Sequence, residues 1–249
     1  MNILILGDVM GLSGRKALKK HLFKIIKDNE INFSIINGEN AADDGKGITK
    51  EIAEEFFSLG IDVITSGNHI WDKLETTSYI EIEKRLLRPA NLVEGSPGKG
   101  FGIFLSKDKK YKIGVINLMG NVFMRKTDDV FKVAKDLTKK IALNKNVDFL
   151  VVDFHGEITS EKMAIGHFFD GQATLVVGTH THVPTNDARI LNKGTAYQTD
   201  AGMCGDYNSV IGMNKENSLN KFLNKESVKH FPSKGEASLC GVLVDADSS

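Results

Sequence analysis

The residues able to do metal and phosphate chemistry in this 249-residue chain fall at regular stations. Asp8 follows the apolar run Ile3-Leu4-Ile5-Leu6, and Glu39-Asn40 follows Phe33-Ser34-Ile35-Ile36. Asn68-His69 follows the run at 61–65, His155 closes the run at 148–154, and His180-Thr181-His182 follows the run at 173–177. Four of the seven histidines therefore stand just after apolar runs, where the catalytic groups of α/β folds gather. The donors are carboxylate, amide oxygen and imidazole without thiolate, a set that suits Mn²⁺, Fe²⁺ or Zn²⁺. Two carboxylates and three imidazoles are too many for one catalytic ion that keeps an open position, but they fit two ions sharing a carboxylate. His180 and His182 are an i, i+2 pair, and extended backbone would turn both toward one cluster. Gly38, Gly67 and Gly178 remove side-chain bulk beside these stations.

Such stations need a scaffold of strands, and the hydrophobic pattern supplies one. Short Ile- and Val-rich runs alternate with segments of helical period, the signature of βα units and an α/β fold. Strands are expected at 3–6, 33–36, 61–65, 111–118, 148–154 and 173–177. Helices are expected at 15–29 with Ser13 as N-cap, 50–59 ended by Gly60, 71–88, 128–143 and 160–169. The third of these stops before Pro89, because proline disfavours helical geometry in the preceding residue. Residues 94–102 read as a glycine-rich loop, and the remainder to 244 as mostly strands with a short helix at 215–224. No linker or fixed-period repeat appears, so residues 1–249 are expected to form a single domain.

Composition narrows the function. Hydrophobic residues make up 41% and charged residues 26%, an ordinary globular mixture that excludes disordered and fibrous classes. The 32 basic and 32 acidic residues cancel to a formal charge of zero, which argues against a broad basic face for long nucleic acid. A small anionic substrate stays open, because two divalent ions would outweigh Asp8 and Glu39 and import the positive charge. Cys204 and Cys240 lack C-x-x-C spacing and are expected as reduced thiols in a cytoplasm. No apolar run approaches the ~20 residues of a membrane span, and the start has no basic n-region, so neither membrane nor export is expected. A homo-oligomer is compatible with all of this.

The ordered motifs Gly7-Asp8, Gly38-Glu39-Asn40, Gly67-Asn68-His69, His155 and Gly178-Thr179-His180-Thr181-His182 resemble those of calcineurin-like metallophosphoesterases. Three longer stretches, Asn37-Gly38-Glu39-Asn40-Ala41-Ala42, Gly67-Asn68-His69-Ile70-Trp71-Asp72 and Thr199-Asp200-Ala201-Gly202-Met203, resemble the YmdB-like branch, the 2′,3′-cyclic-nucleotide phosphodiesterases. The resemblance implies a four-layer α/β/β/α sandwich. It also implies Asp8, Glu39, Asn40 and His182 on one ion and Glu39, Asn68, His155 and His180 on the other, with Glu39 bridging. The superfamily's first motif usually reads Asp-x-His, whereas this chain has Asp8-Val9-Met10; a thioether suits a hard cation poorly, and Asn40 fills the place in the branch. The expected reaction is hydrolysis of a small phosphodiester, foremost a 2′,3′-cyclic nucleotide to a 3′-nucleotide. Hydroxide bridging two ions about 3.5–4 Å apart would attack, with His69 as general acid. A phosphomonoesterase, a broader phosphodiesterase and a nucleotide-binding regulator using the same metal site are the alternatives.

Other features invite plainer readings. His21, His167 and His230 read as ordinary surface or core residues. Asp153 either supports a ligand by a hydrogen bond or pairs locally, and Trp71 reads as a packing anchor rather than a stacking platform for a base. Gly7, Gly11 and Gly14 miss the dinucleotide fingerprint, and Gly45-Lys46-Gly47 fails the P-loop pattern. Residues 202–212 are expected to border the site, and Lys107–Lys110 to form a solvated turn.

Overall fold

The structure, a computed structural model, describes residues 1–224 and 229–247. Strand β1 (Asn2–Val9) shows how the layers arise. Its side chains alternate between two cores: Leu4 and Leu6 face one with Leu18 and Leu22, while Ile3 and Ile5 face another with Phe33, Val115 and Phe149. Both faces of the strand are therefore buried, which explains a continuous apolar run without a polar side.

The first sheet holds β1, β2 (Phe33–Asn37), β3 (Val63–Thr65) and a two-residue β10 (Met203–Cys204) in parallel, in the order β10-β1-β2-β3. The antiparallel β11 (Gly241–Asp245) runs beside the earlier part of β1. The second sheet runs β4-β5-β6-β7-β9-β8. Its parallel centre is β5 (Lys112–Met119), β6 (Phe149–His155), β7 (Leu175–Thr179) and β9 (Ala196–Gln198), and its antiparallel edges are β4 (Phe101–Leu105) and β8 (Arg189–Ile190).

Helices α1 (Gly11–Asp28), α2 (Lys50–Ser58) and α3 (Leu74–Ile82) pack on the outer face of the first sheet. Helices α4 (Val130–Lys140) and α5 (Thr159–Phe168) cover the second, and the inter-sheet core joins the two halves. This is the expected α/β/β/α sandwich. The helix α6 (Lys215–Asn224) follows as expected. Among the described residues, no helix is long and apolar enough to cross a membrane.

Several element boundaries differ from the sequence expectation. Helix α1 begins at Gly11 and takes Ser13 inside it, so Ser13 is not its N-cap. The chain turns straight out of β1 because the Met10 N–H donates to Cys204 O (2.9 Å) and the Gly11 N–H to Asn40 O (2.9 Å), so no side-chain cap is needed. The expected helix at 71–88 forms only over Leu74–Ile82. Beyond it, Leu86 bridges to Ile64 of β3, the Leu87 N–H donates to Ile64 O at 2.8 Å, and Leu86 and Leu87 are both buried. The helix expected at 128–143 shortens to 130–140, with the Asp129 carboxylate accepting from the Lys132 N–H at 2.8 Å.

The structure adds β4, an edge strand whose residues are only half buried and which therefore lacks a clean apolar run. Among the described residues between 180 and 240, the strands are short and α6 is the one helix. Backbone there is satisfied by side chains instead: Asp206 accepts from the N–H groups of Asn208 and Gly235 and from the Ser233 hydroxyl.

Candidate metal centre

The parallel registers bring the stations together. Asp8 is level with Asn37 and Met203 in the first sheet, and His155 with Met119 and Thr179 in the second. The loops after β1, β2, β3, β6 and β7 consequently meet at one edge of the sandwich. There they line a cavity of about 320 Å³ whose walls include Glu39, Asn40, His69, His180 and His182.

Against its Glu39 and His180 walls, the buried His155 Nε2 lies 2.9 Å from Glu39 Oε1, 3.1 Å from Asn68 Oδ1 and 3.0 Å from His180 Nδ1. Ligand atoms of Glu39, His155 and His180 all fall within 4.8 Å of one another. Beside them, His182 Nε2 lies 3.3 Å from Asn40 Oδ1 and 4.0 Å from Asp8 Oδ1. All seven expected ligands thus meet, and the eighth site residue, His69, joins them: its N–H donates to Glu39 Oε2 at 2.9 Å.

One geometric expectation fails. His180 and His182 do not share an extended strand; both adopt left-handed backbone, with φ of 99° and 65°. Such conformations are costly for non-glycine residues and persist where the surroundings impose them. The turn sends His180 toward His155 and His182 toward Asn40 and Asp8, so one tripeptide reaches two groups of donors. Asp200 holds this turn. Its Oδ2 accepts from the Thr181 N–H (3.2 Å), the Thr181 hydroxyl (2.8 Å) and Lys162 Nζ (2.6 Å), and Lys162 also donates to Thr179 O at 2.8 Å. Lys162 and Asp200 are both 1% exposed, so each charge depends on the other.

The electrostatics follow from burial. Burial alone would raise the Glu39 carboxyl, but the charge of His155 and the hydrogen bonds from His155 and the His69 N–H outweigh it and hold the group near about 2. Burial would likewise lower His155, yet Glu39 first and then Asp8 raise it to about 9. Burial and then the His155 charge push His180 down to about 3, which leaves a neutral imidazole suited to ligation. Asp8 is pushed up by burial.

Three observations fit this place to cations. Among the described residues no hydrogen bond reaches the buried Asp8 Oδ1, although Asp8 Oδ2 accepts from the His180 N–H at 3.0 Å. A Cβ on Gly67 would sit 2.2 Å from His155 Nε2 and 2.5 Å from Glu39 Oε2, so the glycine keeps space open between two donors. The donor set itself is oxygen and imidazole, as borderline divalent ions prefer.

Several functional neighbours escaped the sequence reading. His69 Nδ1 lies 2.7 Å from Asp72 Oδ2, and His180 Nε2 lies 3.2 Å from Glu157 Oε2. Asn37, Thr65 and Thr179 bind the buried Asp153, and Thr179 Oγ1 lies 3.0 Å from His155 Nδ1. Asp153 therefore supports His155 through Thr179, and burial raises its carboxyl to about 6 against the hydrogen bonds of Thr65 and Thr179. The spacing signals for these residues were slight: Asp72 is i+3 from His69, Glu157 is i+2 from His155, and Asp200 lay in a motif of unassigned role. Trp71 packs on the outer core, as expected, and Ile211 of the 202–212 loop borders the cavity, its carbonyl 2.7 Å from His182 Nδ1.

Comparison with known proteins gives the chain its relatives. A 2′,3′-cyclic-nucleotide 2′-phosphodiesterase of Bacillus subtilis is 44% identical over 247 residues, covering 99% of this chain and 92% of that protein. The crystal structure of a novel phosphatase from Mycoplasma pneumoniae superposes with a TM-score of 0.89 at 40% identity, covering 98% of this chain and 86% of that one. A hypothetical protein from Thermus thermophilus gives 0.88 at 37% identity, covering 98% of this chain and 99% of that one. A putative 5′-nucleotidase from Staphylococcus aureus shares the fold alone, with a TM-score of 0.57 at 17% identity over 82% of this chain and 49% of that one. The family model described as YmdB-like protein matches residues 4–249, and the chain belongs to that family.

Proposed function

We propose that this protein is a metal-dependent phosphoesterase that hydrolyses small phosphodiesters, foremost 2′,3′-cyclic nucleotides to 3′-nucleotides, at a dinuclear centre. The observation that carries the reading is the convergence of seven oxygen and imidazole donors, with Glu39, Asn40, His180 and His182 lining one cavity and Asp8, Asn68 and His155 in contact with them, around a buried Asp8 Oδ1 that no hydrogen bond reaches among the described residues. Asp8, Asn40 and His182 would hold one ion and Asn68, His155 and His180 the other, with Glu39 between them. Iron or manganese suits these donors, and zinc is compatible with them. When bound, two such ions polarise phosphoryl oxygens and lower the pKa of water.

The chain's own residues do the rest. Glu39, fixed by the His69 N–H, keeps an ionised carboxylate between the two groups of donors. Asp72 occupies Nδ1 of His69, which leaves Nε2 as the ring nitrogen to hold and deliver a proton. A proton given to the departing ribose oxygen is worth typically 10²–10⁴-fold. The name of the Bacillus relative supports the cyclic-nucleotide class.

The test is a turnover screen of purified, metal-loaded protein on 2′,3′-cyclic nucleotides, linear diesters and monoesters. Cyclic-nucleotide turnover that falls at least about 10²-fold in His69→Ala, with metal content retained, supports the reading. Monoester preference, or binding without turnover, overturns the substrate class or the enzymatic role respectively.

A further inference from the structure

The loop after β2 carries Gly45-Lys46-Gly47, a motif the metal centre does not use as a ligand. It is built as a rigid platform. The Gly45 N–H donates to Ala42 O (2.8 Å) and the Ala42 N–H to Gly47 O (3.0 Å), closing the loop on itself. Both glycines are left-handed, with φ of 77° and 79°, and a Cβ would meet Met10 Cε at 2.8 Å or Lys73 Cγ at 2.9 Å. Substituents are excluded on either side of Lys46, and the loop tip has one backbone path.

The same loop is tied to the metal centre. The Asn40 Nδ2 donates to Gly45 O at 2.9 Å, which turns Asn40 Oδ1 toward His182. Lys46 therefore rides on a loop whose position is set by a candidate ligand. It also lines the cavity, where among the described residues it is the one lysine or arginine, beside the carboxylates Glu39 and Glu157. Its neighbour Lys73 is neutralised by Asp44 at 2.7 Å, whereas no ion pair forms to Lys46 among the described residues. An exposed ammonium is a hydrated point charge, a form of cation that suits phosphate oxygens without demanding bidentate geometry.

We propose that Lys46 is a substrate-binding residue that engages a non-bridging oxygen of the substrate's phosphoryl group and so favours anionic phosphoesters over neutral ones. The inference rests on the phosphoesterase reading above. It adds a contact made by the chain itself to those that bound ions would supply. Its contribution is felt mainly in binding, because the ammonium faces an oxygen that is already negative in the ground state.

Inorganic phosphate is the probe that separates this proposal from the reading beneath it. Titrated into metal-loaded protein by calorimetry, phosphate is expected to bind roughly five- to tenfold more weakly to Lys46→Ala than to wild type. Lys46→Arg should restore most of that affinity, and Lys24→Ala, at a paired lysine of α1 outside the cavity, should leave it unchanged. Metal content should be equal in all four proteins. In turnover assays the Lys46→Ala loss should fall mainly on KM and shrink as salt is raised. Phosphate affinity that is the same in wild type and Lys46→Ala overturns the proposal, whatever the turnover. Weakened phosphate binding in a protein that turns over no phosphoester would uphold the contact while overturning the enzymatic reading.

Discussion

Replacing Gly67 by alanine places a methyl group inside the ring of donors. The added Cβ would lie 2.1 Å from His155 Cδ2, 2.2 Å from its Nε2 and 2.5 Å from Glu39 Oε2. Carbon atoms in contact prefer about 3.5–4.0 Å, so the imidazole would have to withdraw by about 1.4 Å or more. Metal sites tolerate errors of only about 0.2 Å in ligand distance, and a 1 Å misplacement of reacting groups costs about 10²-fold. Gly67 does not adopt positive φ, so the backbone itself accepts alanine and the damage is confined to the site. Overpacking should lower stability by about 1–3 kcal/mol. In a chain of this size each kcal/mol is worth roughly 2–4 °C of Tm. Circular dichroism should show an unchanged fold. Elemental analysis after dialysis should show fewer bound ions, and kcat/KM should fall at least about 10²-fold. A variant that keeps its full metal complement and wild-type turnover would refute the claim that Glu39 and His155 close on an ion at this place.

Two other perturbations probe different parts of the site. Asp200→Ala leaves the buried Lys162 uncompensated and should cost about 3–5 kcal/mol in thermal or denaturant unfolding. Lys162→Met combined with Asp200→Leu should recover much of that stability but not metal affinity, because Thr181 still loses its acceptor; metal affinity at the wild-type level would count against the brace. The His155–Glu39 pair predicts a pH dependence for protein stripped of metal. His155 is raised from 6.5 to about 9, so its stabilisation is complete below pH 6.5 and is lost as pH rises through 9. Glu39 is lowered from 4.5 to about 2, so its contribution is complete above pH 4.5 and is lost as pH falls toward 2. A cation must displace the proton of His155, so calorimetry in buffers of different ionisation enthalpy should record proton release, and apparent metal affinity should rise with pH up to about 9. Affinity that is flat across this range would contradict the assignment of His155.

The stations were legible in the sequence because parallel strands buried on both faces read as plain apolar runs, and whatever follows such a run lies at the sheet edge. That logic located Asp8, Glu39, Asn68 and His155 without knowledge of how the sheets face one another. It found His180 and His182 but gave them the wrong backbone, since the left-handed turn depends on Asp200, which lies at the far end of a hydrogen bond rather than nearby in sequence. Lys162 was invisible for the same reason: a lysine on a helix reads as solvated until a buried carboxylate is seen to meet it. The edge strand β4 and the mostly irregular stretches at 180–214 and 229–240 differ from the expectation because their order comes from pairing with β5 and from side chains that bind backbone, neither of which leaves a periodic trace.

Under the proposed function, seven donors would assemble a two-ion centre on which phosphodiester hydrolysis depends. Adding Mn²⁺ stepwise to metal-stripped protein, with bound metal and turnover of a 2′,3′-cyclic nucleotide followed together, tests it most directly. Turnover should reach its plateau only as the second equivalent binds, and Glu39→Gln should lose both high-affinity binding and turnover. Full turnover with one ion or none, or a Glu39→Gln variant that keeps two ions and its activity, would contradict it.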